Sequence, residues 1–532
     1  MPHPYADIHC HSTSKAFGTQ RGSEEQRLNP FQSAPNFINS WLLSRLRSVI
    51  EKASEILLAT QSNFDNLYAG GHRIAIVSIT PPEKGFYVMN QKDDPLLNDT
   101  LKTLAAFQKV PFTGTIKNEV INALTGFSLE DIKFCKYDTI SYFRHSLKPE
   151  FEFLESFNGK KGKGGYTMRL VKNYAEIETA LADNPKTLCI LTSIEGTHSL
   201  YNAPGFGDLL RNQTTTHKDD VYNFTPLAEY QNNITEMKTW AHPPLFMTFY
   251  HHTWNGLGGH ARSLNALMTV LINQEEGINL GINKLGIEVI KSLLSTKNGK
   301  RILIDIKHMS PRSRKDYYAL LRTDKDLKNE TIPIICSHTG VCSKRNTIDE
   351  MIELSDTADW NELDDTSNFL HECSINLCAE DIANIFNSNG LIGIQLDEKR
   401  IAGKEIIKII QQKEGITVDE VNMQYAKVVL ANMLRIVQVL NKKEGWDIIS
   451  IGSDFDGLIN HLNCCQSSAE VPVLEKYMLK VLKSKTDISQ EGFNYSLTAG
   501  EIQTLMFGMQ PQDILEKVFY SNAVNFLKNS FI

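Results

Sequence analysis

The sequence predicts one α/β domain over residues 1–532, a (β/α)8 TIM-type barrel with long loop insertions, on three observations. Eight short apolar runs recur along the chain, seven of them ending in a polar and often charged residue. Segments with helical spacing of apolar residues alternate with these runs, the pattern of parallel βα units. Six of the eight runs end in a histidine or an acid, the groups that a closed barrel would gather at one mouth.

The runs are "YADIH" (5–9), "RIAIVSIT" (73–80), "TLCILTSIE" (187–195), "PLFMTFYH" (244–251), "RILIDIKH" (301–308), "IPIICSH" (332–338), "GLIGIQL" (390–396) and "WDIISIGSD" (446–454). Each is rich in Ile, Val, Leu or Phe, as a strand buried on both faces should be. Helical spacing appears at 36–61, 174–183, 286–296, 313–322, 379–389 and 421–443, and 512–530 reads as a closing helix. Three regions, roughly 85–166, 200–240 and 455–500, are too long for simple connections and are expected to be insertions forming lids or partner surfaces. Length alone would suggest roughly three domains, but a barrel with insertions runs long as one. No Pro- or Ser-rich linker marks an independent unit.

The net charge of −7 leaves no basic footprint for nucleic acid. No stretch approaches the ~20 apolar residues that span a bilayer. "KVVLANMLRIVQVL" (427–440) is interrupted by Asn432 and Arg435, and no basic segment with a following apolar run opens the chain. The nine cysteines are odd in number, irregularly spaced and without a CxxC pair, which argues for free thiols in a reducing compartment. The expectation is therefore a cytoplasmic protein without membrane or nucleic-acid partners; a homodimer is compatible with it.

The first run delivers His9 and His11, which as i and i+2 on a strand point to the same side. Later runs deliver Glu195, His251, His308, His338 and Asp454. Taken singly, a strand-end histidine is more often a hydrogen-bonded structural residue, Glu195 could cap a turn, and Asp454 could cap the next helix. Taken together they are the ligand set of zinc and related divalent metals, and they exceed one tetrahedral shell. Two metals bridged by Glu195, roughly 3.5–4 Å apart and sharing a hydroxide, fit that count. His3, His198, His252, His260 and His461 lack a strand-end position with a partner and read as loop residues, with lining of the pocket as the alternative for His252.

The stretches "IEGTHSL" (194–200), "GINKLGIEVIKSLL" (281–294), "LIDIKHMS" (303–310), "IICSHTG" (334–340), "NLCAEDIANIFNSNGLIGI" (376–394) and "IGSDFDG" (451–457) run in the order found in the membrane (renal) dipeptidase family, peptidase family M19 of the amidohydrolase superfamily, which the chain resembles. The resemblance implies a binuclear metallo-dipeptidase with two zinc ions. His9 and Glu195 would serve one metal, and Glu195, His308 and His338 the other. His251 would polarise the scissile carbonyl, Asp454 would handle protons near the substrate amine, and Arg345 in "SKRN" (343–346) would receive the substrate carboxylate. Two features depart from the family. His9-Cys10-His11 stands where the family has His-X-Asp, which removes one negative charge; His-X-His is nonetheless the common amidohydrolase pattern, and His11 is read as a ligand. The chain is also well over a hundred residues longer than a typical member. The expected activity is hydrolysis of dipeptides or dipeptide-like amides through a metal-bridged hydroxide. The alternatives are an amidohydrolase acting on another small amide or lactone, and a non-catalytic metal-binding barrel.

Overall fold

The structure, a computed structural model, describes residues 3–20, 24, 27–33, 60–83, 141–201, 225–264, 274–357, 367–412, 415, 417–484 and 486–532. All but the last two residues of the helix expected at 36–61 lie outside these, as do Cys135, most of 85–166 and residues 202–224.

Every apolar run forms a strand. In chain order the strands are β1 (Tyr5–Cys10), β2 (His72–Ile79), β3 (Thr167–Leu170), β4 (Thr187–Glu195), β5 (Phe246–Thr248), β6 (Leu303–Asp305), β7 (Ile335–Thr339), β8 (Leu391–Ile394) and β9 (Ile449–Ile451). They pair in parallel in the order β1-β2-β4-β5-β6-β7-β8-β9, with β3 added outside this path against the first half of β4. The ring closes between β1 and the segment after β9. Asp454 N donates to His9 O at 2.9 Å, and His11 N donates to Phe455 O at 2.9 Å. The eight ring strands with helices between them make a (β/α)8 barrel. β3 was not among the expected strands, and its sequence gives the reason: "TMRL" is four residues long and exposes Arg169.

β5, β6 and β9 stop three residues short of His251, His308 and Asp454, earlier than the apolar runs imply. Those side chains stand on turns after the strands. His308 and Asp454 adopt left-handed backbone, φ 65° and 61°, which costs energy for a residue with a side chain and collects at functional sites.

The helices begin where their caps dictate. Asn173, Asn283 and Ser310 accept hydrogen bonds from the first turns of Tyr174–Asp183, Lys284–Leu294 and Pro311–Thr323. Thr417 and Glu420 form a capping box that starts Val418–Leu440, the longest described helix. Asn432 lies inside this helix at 0% exposure. It clamps two neighbours: Oδ1 accepts from Val341 N at 3.0 Å, and Nδ2 donates to Ile401 O at 3.0 Å. The closing segment is helical from Pro511–Glu516 through a wider turn at Lys517–Ser521 to Asn522–Ser530. Among the described residues no helix is long and apolar enough to cross a membrane. The eight described cysteines are free and buried.

Two buried aspartates brace the ring beneath its mouth. Asp7 on β1 accepts from His9 N at 3.1 Å and from Ser453 N at 3.0 Å and Oγ at 2.5 Å, tying the first strand to the last. Asp305 on β6 accepts from Thr248 Oγ1 and Ser337 Oγ, both at 2.6 Å, and from the backbone N–H groups of Lys307 and Ser337, both at 3.0 Å. This ties β5, β6 and β7 together.

Candidate metal centre

The histidines and acids singled out in the sequence, Arg345 apart, converge at the mouth of the barrel. Glu195 ends β4 and is almost fully buried. Its Oε1 faces the Nε2 atoms of His308 at 3.4 Å, His338 at 3.6 Å and His9 at 3.8 Å. Its Oε2 faces the Nε2 atoms of His11 at 3.4 Å and His251 at 3.5 Å. On the first-strand side, His11 Nε2 lies 3.2 Å from His9 Nε2 and 3.2 Å from Asp454 Oδ1.

Sets of three ligand atoms close enough to share an ion are His9–His11–Asp454 and Glu195–His308–His338. A third set substitutes Asp305 beside His9 and His338, but both oxygens of Asp305 are already engaged by four protein donors. Ligands held tetrahedrally at about 2.0–2.1 Å from zinc stand about 3.3 Å apart. The spacings of 3.2–3.9 Å around Glu195 and Asp454 match such edges better than hydrogen bonds. Glu195 Oε1 is buried without a hydrogen-bond donor, an arrangement that is costly unless something positive sits among these atoms. The donor set therefore fits divalent cations.

The hydroxyls around the cluster settle which ring nitrogen points inward. Thr80 Oγ1 donates to Glu195 Oε2 at 3.3 Å, so it accepts from His11 Nδ1 at 3.2 Å. Ser337 Oγ donates to Asp305, so it accepts from His338 Nδ1 at 2.9 Å. Both histidines thus carry a proton on Nδ1 and turn Nε2 toward the cluster, as ligating histidines do. Burial holds His9, His308 and His338 well below the usual imidazole range, in the neutral form that binds metal. Burial opposes charge on His11 too, but Asp454 and Glu195 push it up to about 9, a sign of the negative potential at that point.

Two glycines explain the motifs around the acids. Gly196 has φ 93°, and a Cβ there would lie 2.4 Å from the His198 ring, so "EG" is needed for the turn after β4. A Cβ on Gly457 would lie 2.0 Å from Asp454 Oδ1, so only glycine leaves that carboxylate room.

The structure adds residues that the sequence reading passed over, and three of them come from the two strands to which it gave no ligand. β2 leads to Thr80 and to the buried Glu83; β8 leads to Gln395, whose Nε2 donates to Asp454 Oδ2 at 2.7 Å. Glu83 Oε1 lies 2.6 Å from His251 Nδ1. Burial opposes the Glu83 carboxylate, yet His251, His198 and His252 hold it far below the ordinary range. Lys307 is buried as well, with Nζ 3.5 Å from Gln395 Oε1. A charged residue in "TPPEK" (80–84) and a Gln in the "GIQL" (393–396) run were the available signals.

His252 is buried against His251, ring centroids 3.8 Å apart, with Nδ1 2.7 Å from Ser263 Oγ. His198 anchors the β2 loop through Pro81 O at 2.7 Å, and His260 bonds to Ala261 O and Glu276 O, both at 3.1 Å. His3 is paired with Glu475 at 2.8 Å, far from this cluster in the ring. Arg345 lies in the half-buried loop after β7, where its carbonyl accepts from Ala379 N at 3.2 Å. Among the described residues no hydrogen bond or ion pair joins it to the cluster, and its Nε is buried without a partner.

No family model and no curated protein matches the sequence. Solved structures similar to it include dipeptidase AC, a metallo peptidase of family M19, at 11% identity over 99% of this chain and 98% of that one, TM-score 0.45. A second is a metallo peptidase from Rhodobacter sphaeroides liganded with a phosphinate mimic of the dipeptide L-Ala-D-Ala, at 12% identity over 99% of each chain, TM-score 0.44. A third is a probable dipeptidase from Pseudomonas aeruginosa, at 12% identity over 89% of each chain, TM-score 0.39.

Proposed function

We propose that the chain is a hydrolase of dipeptides or dipeptide-like amides that works with two divalent cations, zinc by the chemistry of its donors. The observation that carries this reading is the division of Glu195: its two oxygens face two different sets of imidazoles, the arrangement of a bridging carboxylate. His11 and Glu195 Oε2 would hold the first cation together with His9, whose Nε2 lies 3.2 Å from His11 Nε2 although the Glu195 oxygen it faces is Oε1, at 3.8 Å; Asp454 Oδ1 adds negative charge on that side. The other Glu195 oxygen with His308 and His338 would hold the second. When bound, such a pair supplies Lewis acidity and an activated water.

The protein's own groups would do the rest. His251, with Nε2 toward the mouth, polarises the amide carbonyl and steadies the charge that grows on its oxygen. Asp454, held at Oδ2 by Gln395, carries a proton to the leaving amine. Arg345 is assigned the substrate carboxylate because a guanidinium pairs with one bidentately. The imidazole at His11, in place of a carboxylate, leaves the site one negative charge poorer, which favours anionic substrates.

The test combines elemental analysis of zinc-loaded protein with turnover on free dipeptides, their C-terminal amides, lactones and N-acyl amino acids. We expect close to two cations per chain, turnover of free dipeptides, and a KM for these that rises in Arg345→Ala while the amides change little. Absence of metal after reconstitution would overturn the reading, and turnover confined to lactones or N-acyl substrates would replace the substrate class.

A further inference from the structure

Glu83 stands four residues past β2 and is 2% exposed. A carboxylate this deep needs partners, and its partners are three successive residues of the turn after β5. Oε1 lies 2.6 Å from His251 Nδ1, an ion-pair contact without hydrogen-bond alignment, and it accepts from His252 N at 2.8 Å. Oε2 accepts from Thr253 N at 2.5 Å and from Thr253 Oγ1. The loop that presents Glu83 is itself fixed at both sides of the mouth, by His198 Nε2 at Pro81 O and by Thr80 Oγ1 at Glu195 Oε2.

The far side of the same imidazole, Nε2, faces Glu195 Oε2 at 3.5 Å. An imidazole turns about a broad, roughly two-fold torsion, so an unanchored ring can present carbon where nitrogen is needed. We infer that Glu83 is the positioning residue of His251, holding the ring at Nδ1 in the orientation that aims Nε2 into the mouth. The inference deepens the proposed function and rests on its assignment of His251 to the substrate carbonyl. Misaligned contacts of this kind tighten when a site is filled. A merely structural Glu83 would pin the backbone of residues 252–253 and leave the ring orientation to packing against His252.

Two measurements decide between these. The first needs no substrate. In zinc-loaded protein carrying isotope-labelled histidine, the His251 Nδ1–H resonance is identified by its loss in His251→Ala. It should be present in the wild type and broadened into exchange with water in Glu83→Ala; a resonance unchanged in Glu83→Ala overturns the inference. The second is a double-mutant cycle on the best dipeptide substrate. Glu83→Ala should lower kcat about 10–100-fold with KM nearly constant, and should add less than about twofold once His251 is already Ala. Equal losses in both backgrounds would assign Glu83 a structural role. Glu83→Leu, which also lacks an acceptor but keeps the volume, replaces Ala in both measurements if Ala does not fold. A wild type without turnover would count against the dipeptide reading, while the resonance alone would still decide the role of Glu83.

Discussion

Glu195→Gln keeps the shape of the side chain and removes its charge. Two cations facing each other across a neutral bridge would repel without compensation. We expect the variant to lose at least one cation and its turnover to fall by orders of magnitude, while it unfolds no lower than metal-free wild type. Metal content, turnover and thermal unfolding on one preparation check this; retention of both cations with near-native turnover would show that Glu195 is not the bridge. The residues that form the cluster could be read from the sequence because imidazoles and acids are rare at the ends of apolar runs. Glu83 and Gln395 could not, because their roles depend on which loop lies across which. Glu83 reaches His251 from 168 positions away, and nothing in "TPPEK" (80–84) announces that the β2 loop crosses to the turn after β5. Gln395 is one more polar residue in a strand until Asp454 is found 2.7 Å from it.

The eight ring strands were legible as elements because each lies in an apolar run that the barrel buries on both faces. Their ends were less so. "IDIKH" (304–308) continues the alternation past Asp305, but backbone pairing stops there so that a left-handed turn can swing His308 inward. The helix Val418–Leu440 was also legible, and its buried Asn432 carries a prediction. Asn432→Leu would leave Val341 N–H and Ile401 C=O without partners, at a cost of about 2–5 kcal/mol measured by denaturant unfolding. An unchanged midpoint would mean that water replaces the amide. A second clamp on this helix is sensitive to pH. Tyr425 Oη donates to Glu398 Oε2 at 2.7 Å, while Asn460 Nδ2 and Gln411 Nε2 donate to Oε1 at 2.5 Å and 2.9 Å. Burial, against the Tyr425 hydrogen bond and together with the charge of Asp397, pushes the Glu398 carboxyl from 4.5 up to about 7. A carboxyl whose value is raised by folding contributes most below its unfolded value and loses that contribution as pH climbs through the folded one. Glu398→Gln removes this dependence, so the variant-minus-wild-type unfolding temperature should become more positive between pH 5 and pH 8. A difference that stays flat over that interval would show that Glu398 does not titrate there.

At the scale of the whole molecule, the barrel is a ring whose seam runs through the candidate site. β1 meets the end of β9 through Asp454 N to His9 O, His11 N to Phe455 O, and the Asp7–Ser453 clasp. A cation held by His9 and His11, with Asp454 Oδ1 adding its charge from the other side, would therefore fasten the ring across its own seam. Removing it with a chelator should lower the unfolding temperature by several degrees, because a ligand held at a thousandfold over its dissociation constant stabilises by about 4 kcal/mol. Restoring zinc should recover the shift, and a chelator without effect would place the cations elsewhere. The same seam sets an order of events during synthesis. His9, His11, Glu195, His308 and His338 have all been made once residue 338 leaves the ribosome, but the seam beside the first two waits for Asp454, which is 445 positions (454 − 9) behind His9. At about 5–20 residues per second that delay is roughly 20–90 seconds. Through it the two histidines stand on an unpaired strand edge. The nascent chain can make every imidazole of the cluster long before its ring can close, and a messenger broken anywhere upstream of residue 454 yields a polypeptide whose seam is never sealed.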